Sequence, residues 1–155
     1  MYLARRSPRI LLALAIVLGA GHPIGVWAAD PAAPHDLFVA GKGGYHTYRI
    51  PAMVVTTRGT LLVFCEGRKT SSTDDGDNDM LLRRSSDGGR SWSAIKLVHE
   101  EGGDALVTIG NACPVVDRST GIVWLTMNRG NDRVLLTHSR DEGKTWALPT
   151  DITEM

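Results

Sequence analysis

Beyond the first thirty residues the apolar positions come in short runs, not at the three-and-four spacing of an amphipathic helix. Runs rich in β-branched and aliphatic residues cover 48–56, 60–66, 80–85 and 94–98, and a second set covers 112–117, 121–127 and 133–139. Turn signals separate them, among them Thr57-Arg58-Gly59, Asp87-Gly88-Gly89 and Ser119-Thr120-Gly121. Many short strands at close spacing predict an all-β meander.

The meander repeats. Ser85-Ser86-Asp87-Gly88-Gly89-Arg90-Ser91-Trp92 returns 54 residues later as Ser139-Arg140-Asp141-Glu142-Gly143-Lys144-Thr145-Trp146. In each copy the Asp can close a turn on backbone N–H groups, Gly gives a permissive backbone, and Trp offers a large surface to a neighbouring strand. Two copies with the tryptophan in register define an Asp-box, a structural device. A four-stranded unit of this length is one blade of a β-propeller. The expected fold is therefore all-β, about two four-stranded antiparallel blades of a propeller, at roughly 48–98 and 112–153. Two blades cannot close a ring, so the chain reads as the front part of a larger propeller or as a truncated gene product.

In such a blade the start of the first strand, the end of the second and the loop to the third share one face. That mouth should receive Tyr48-Arg49, Glu66-Gly67-Arg68 and the loop 69–79 from the first blade. From the second it should receive Gly110-Asn111 and the turn 128–132. The Asp-boxes fall on the opposite face.

Residues 1–28 are of another kind. Arg5, Arg6 and Arg9 precede an apolar run over 10–20, and Val26-Trp27-Ala28 fits a signal-peptidase site. Eleven residues are too few for a membrane-spanning helix, which needs about 20. A secretory signal peptide is expected over 1–28, an uncleaved anchor being the alternative, with residues 29–155 working in a secreted or periplasmic setting. The charge balance of 17 basic against 17 acidic residues gives no support to a nucleic-acid binder. Two cysteines are too few for a disulfide-built scaffold.

Tyr48-Arg49-Ile50-Pro51, then Leu62-Val63-Phe64-Cys65-Glu66-Gly67-Arg68, then two Asp-boxes, resembles the exo-α-sialidase (neuraminidase) family of six-bladed Asp-box, or BNR-repeat, propellers. The resemblance covers 36–153. It implies that Arg49 is the first of three arginines gripping the carboxylate of sialic acid, and that Arg68 sits beside it near the sugar's O4. It implies that the acid/base aspartate follows in the next loop, as Asp74 or its rival Asp75. Asn111, in Gly110-Asn111-Ala112-Cys113-Pro114-Val115, matches a stretch that touches the sugar, although a turn-capping role fits equally. Arginine suits the carboxylate because its planar fork meets two oxygens. Sialidases use a tyrosine nucleophile where other glycosidases use a carboxylate. The acid must hold a proton; neighbouring Asp75, Asp77 and Asp79 would push Asp74 upward and Arg68 would pull it back.

The resemblance implies retaining hydrolysis of terminal sialic acid from sialylated glycans or glycolipids, with no cofactor. It also implies that two further arginines, the tyrosine and its activating glutamate come from later blades, leaving these residues alone inactive. Read as a calcium loop, the acidic run 74–79 lacks the required Gly and Glu positions, which leaves a solvated loop as the plain alternative. Cys65 and Cys113 read as two buried thiols more readily than as a disulfide. His46 and His138 fit no metal or triad spacing. Two other classes stay open: a non-catalytic Asp-box propeller binding carbohydrate or protein, and an Asp-box glycosidase acting on neutral sugars.

Overall fold

A computed structural model describes residues 34–155 apart from Asp104. The signal peptide expected over 1–28 lies outside these residues. Eight strands form two four-stranded antiparallel sheets. The first holds β1 (Thr47–Val55), β2 (Leu61–Arg68), β3 (Asn78–Ser85) and β4 (Lys96–His99); the second holds β5 (Ile109–Val116), β6 (Val123–Arg129), β7 (Arg133–Ser139) and β8 (Thr150–Asp151). Each sheet pairs its strands in sequence order, the up-and-down pattern of a propeller blade. Among the described residues no helix is long and apolar enough to cross a membrane.

β2 is buried along nearly its whole length, so it reads as a continuous run, Leu-Leu-Val-Phe-Cys-Glu-Gly-Arg, without polar alternation. The core lies between the two sheets. Leu62, Phe64, Met80 and Leu82 of the first meet Ile109, Val123, Leu125, Met127 and Leu135 of the second. Trp146 of the second Asp-box packs against this cluster and meets the Phe64 ring edge-on at 5.6 Å. Full burial of side chains of this kind stabilises by about 1.5–3 kcal/mol each.

The Asp-boxes form as their residue types require. Ser91 N–H and Oγ both donate to the Asp87 carboxylate, at 2.9 and 2.5 Å, and Gly89 N–H donates to Ser85 Oγ at 2.9 Å. The second copy repeats these bonds with Thr145, Asp141, Gly143 and Ser139. That turn also ties the sheets together: Thr56 Oγ1 donates to Glu142 Oε2, and Arg84 Nε donates to the Glu142 carbonyl at 2.6 Å.

Several sequence expectations shift. β3 begins at Asn78, two residues ahead of the run over 80–85, because the β2–β3 ladder extends to the Arg68–Asn78 pair. Cys113 is not buried: both thiols are free, Cys65 buried and Cys113 exposed. Cys113 sits on β5 between Ala112 and Pro114, and it is Ala112 and Val116, on the other face of that strand, that pack on the core. Burial pushes the Cys65 thiol up to about 12. The acidic loop is only half solvated. Asp77 and Asp79 are buried, and Lys69 Nζ lies 2.9 Å from Asp77 Oδ2 and 3.2 Å from Asp79 Oδ1. Tyr45 donates its hydroxyl proton to Asp79 at 2.6 Å.

Candidate functional site

The innermost strands β1 and β5 carry the same irregularity. The β1–β2 register breaks between Arg49 and Ala52, and the β5–β6 register breaks between Gly110 and Cys113. At the break Ile50 has φ 54° and Asn111 has φ 53°. A β-branched residue in the left-handed region is strained, and such bulges re-aim neighbouring side chains. Here they turn Arg49 and Asn111 toward a common pocket of about 340 Å³.

Around that pocket β1 contributes Arg49 and Ile50, β2 contributes Glu66 and Arg68, and the β2–β3 loop contributes Asp74. The second sheet closes it with Thr108 just before β5, Asn111, and Asn131 in the β6–β7 turn. Arg49, Arg68, Asp74 and Asn111, all singled out in the sequence, thus share one cavity. Asp75 is not among its lining residues.

Arg68 is the fixed point. Its side chain is 2% exposed. Nη2 donates to Glu66 Oε2 at 2.8 Å and to Asp74 Oδ1 at 2.9 Å, and Nε reaches Glu66 Oε2 at 3.2 Å. Nη1 donates to the carbonyls of Ser72 and Thr73, which fixes the loop that carries Asp74. Burial alone would lower the Arg68 pKa, but the bonds to Glu66 and Asp74 outweigh it and hold the guanidinium more firmly charged.

Glu66 joins the two sheets at this point. Its Oε1 accepts the Asn111 N–H at 2.8 Å while its Oε2 holds Arg68. Gly110 is required beside it, since a Cβ there would stand 2.5 Å from Glu66 Oε1. Asn111 therefore contributes a bulged backbone to the pocket wall in addition to its side chain.

Arg49 Nη1 donates to Asp74 Oδ1 at 2.9 Å, the same oxygen that Arg68 holds. The Arg68 hydrogen bond, followed by the Arg49 charge, keeps the Asp74 carboxyl below the usual carboxylate range. The opposing pulls expected on Asp74 are thereby decided in favour of the cations. The two tyrosines nearest in sequence are engaged elsewhere, Tyr45 with Asp79 and Tyr48 with the Lys42 carbonyl at 2.7 Å.

The sequence places Glu66 and Asn131 at the mouth, within Glu66-Gly67-Arg68 and the turn 128–132, but gives neither a role. A lone acid inside the apolar run Leu-Val-Phe-Cys-Glu-Gly is a signal that could have marked Glu66. Asn131, with φ 61°, accepts from Asn128 Nδ2 at 2.6 Å and lines the same pocket as Arg49.

Residues 57–155 match the BNR repeat-like domain family. An exo-alpha-sialidase of Aspergillus fumigatus is 33% identical over 140 residues, covering 72% of this chain and 34% of that protein. A sialidase of Micromonospora viridifaciens is 40% identical over 124 residues, covering 73% of this chain and 19% of that protein. Among solved structures, the Hadza microbial sialidase Hz136 superposes with a TM-score of 0.69 at 27% identity, over 74% of this chain and 28% of that one. A Trypanosoma rangeli sialidase, solved in complex with sialic acid, shares the fold with a TM-score of 0.57 at 18% identity, over 70% of this chain and 20% of that one. The chain spans about a third or less of the length of these relatives. With two Asp-box blades, a mouth lined by arginines and a match over well over half of its residues, the chain belongs to the BNR-repeat propeller family, in which its relatives are sialidases.

Proposed function

We propose that the protein supplies the first two blades of an exo-α-sialidase that hydrolyses terminal sialic acid from glycans or glycolipids with retention. The observation that carries this reading is the convergence of Arg49 and Arg68 on one carboxylate oxygen at the propeller mouth, 2.9 Å from each. A pocket already built to hold a carboxylate between two guanidinium groups suits a sugar that bears one at its anomeric carbon. A neutral sugar has no use for that arrangement.

In this reading Arg49 takes the substrate carboxylate, Arg68 stands beside the ring near O4, and Asn111 borders the sugar. Asp74, rather than Asp75, gives a proton to the leaving oxygen and later takes one from water. The tyrosine nucleophile, its glutamate and two further arginines come from blades beyond these residues; the chain by itself binds and does not turn over. Residues 1–28 direct export, and no cofactor enters.

The test begins with the intact mass of the mature protein from its source, followed by assay on a fluorogenic sialoside. The expected result is a mass well above that of residues 29–155, with hydrolysis abolished by Arg49→Ala. Asp74→Asn is expected to slow poor leaving groups most. A product no larger than residues 29–155, without hydrolysis, would favour the non-catalytic binding propeller instead. A sialoside left uncleaved beside hydrolysis of a neutral fluorogenic glycoside that survives Arg49→Ala would favour a neutral-sugar enzyme.

A further inference from the structure

Arg49 and Arg68 hold Asp74 on very unequal terms. Arg68 is sealed in by Glu66 and by two loop carbonyls and is 2% exposed. The Arg49 side chain is 46% exposed, and beyond Asp74 the only other hydrogen bond of its guanidinium among the described residues is a long one, 3.4 Å, to the Ser72 carbonyl. Asp74 is itself 76% exposed, so the Arg49–Asp74 pair belongs to the class of exposed ion pairs that contribute little. A carboxylate entering the pocket therefore meets one cation that cannot be released and one that can.

We propose that Arg49 is an exchange point, where the carboxylate of an acidic sugar displaces Asp74 and leaves that residue held by Arg68 alone. The inference rests on the reading of the pocket as a sialic acid site and adds to it a coupling between substrate and acid. In the free protein Asp74 is kept ionised by two guanidinium groups, the wrong state for a group that must donate a proton. Exchange removes one cation and brings a like charge close, and both changes favour the protonated form. The other groups facing Asp74 remain as they are: Arg68 from β2 with Glu66 behind it, and the neutral Asn111 and Asn131 from the second sheet. Binding of the anionic sugar and uptake of a proton at Asp74 are then linked, each promoting the other. The acid is armed only when its substrate is in place.

The test follows the Asp74 carboxyl carbon by NMR across pH in the chain as it stands, free and saturated with N-acetylneuraminic acid. The methyl ester of the same sugar is the control. Arg49→Ala is expected to raise the Asp74 titration midpoint in the free protein, and saturation of the wild type with the acid is expected to raise it at least as far. The ester should leave it in place. Asp74→Asn, which removes the competing carboxylate, should bind the acid about two- to fivefold more tightly, the range that an exposed pair supplies. If Arg49→Ala leaves the free-state titration unchanged, or if the acid shifts Arg49 resonances without moving Asp74, the exchange is overturned while the carboxylate site stands. If the acid binds neither the wild type nor Asp74→Asn, or binds Arg49→Ala equally well, the carboxylate reading of the pocket falls with it.

Discussion

Replacing Glu66 by alanine removes three hydrogen bonds from the buried seam between the sheets: two from Arg68, at 2.8 and 3.2 Å, and one from the Asn111 N–H at 2.8 Å. Both charged side chains lie inside, at 4% and 2% exposure. Deleting one partner of a buried pair costs about 3–5 kcal/mol because the other charge is stranded. Arg68 would keep Asp74 and the Ser72 and Thr73 carbonyls, which argues for the low end of that range. The orphaned Asn111 N–H adds about 1 kcal/mol. The total is about 4 kcal/mol, a large part of the 5–15 kcal/mol by which domains are ordinarily stable. With a urea dependence of about 1.5 kcal/mol per molar, the unfolding midpoint should fall by about 2.5 M, read from tryptophan fluorescence. Glu66→Gln retains an acceptor for Asn111 but loses the charge, and should fall between the two. A double substitution, Glu66→Leu with Arg68→Met, should recover much of the loss, since apolar replacements of buried pairs are often neutral. A midpoint drop under about 0.3 M for Glu66→Ala would refute the claim that this carboxylate joins the blades.

Three further outcomes follow from the same structure. Burial would raise the Asp141 carboxyl, but hydrogen bonds from Thr145 and Ser139 bring it down to about 2. Its folded value is thus below the ordinary value of about 3.9, so its contribution is full above that pH and lost as pH falls toward 2; in Asp141→Asn the acid-unfolding curve should flatten in that window. Iodoacetamide on the folded protein at pH 8 should alkylate Cys113 and spare Cys65, as peptide mass spectrometry would show; equal labelling would contradict the burial of Cys65 and its thiol pushed up to about 12. Lys69→Met leaves Asp77 and Asp79 facing each other without their cation, with an expected loss of about 2 kcal/mol at pH 7. Burial already raises Asp79. Without Lys69 its folded value rises further above the unfolded one, so the deficit should be smaller at pH 5 than at pH 7, by thermal unfolding.

What could be read from the sequence was local. Strands, turns and Asp-boxes are set by neighbours a few residues apart, so their periodicity and turn chemistry sufficed to give the two sheets and to bring Arg49, Arg68, the loop 69–79 and Asn111 to one mouth, the choice of Asp74 within that loop being what the family resemblance implies. What escaped depends on contacts between the sheets. Glu66 becomes a buried bridge only because Gly110 and the bulged Asn111 N–H come up against it from 45 residues away. Asp77 and Asp79 look like part of a solvated acidic run until Lys69 and Tyr45 are folded over them. Cys113 sits in an apolar stretch, yet the bulge at Asn111 assigns it to the face of β5 away from the core. Ile50 gives no local warning of a positive φ, since its residue type argues against one.

Whether this mouth takes a sugar carboxylate on Arg49, as proposed, is read from amide and arginine side-chain NMR shifts of the chain during titration with N-acetylneuraminic acid. The account predicts saturable shifts at Arg49, Arg68, Asp74 and Asn111, with weak affinity of roughly millimolar order for half a site, and their loss in Arg49→Ala. Absence of shifts at these residues, or an equal response in Arg49→Ala, would contradict it.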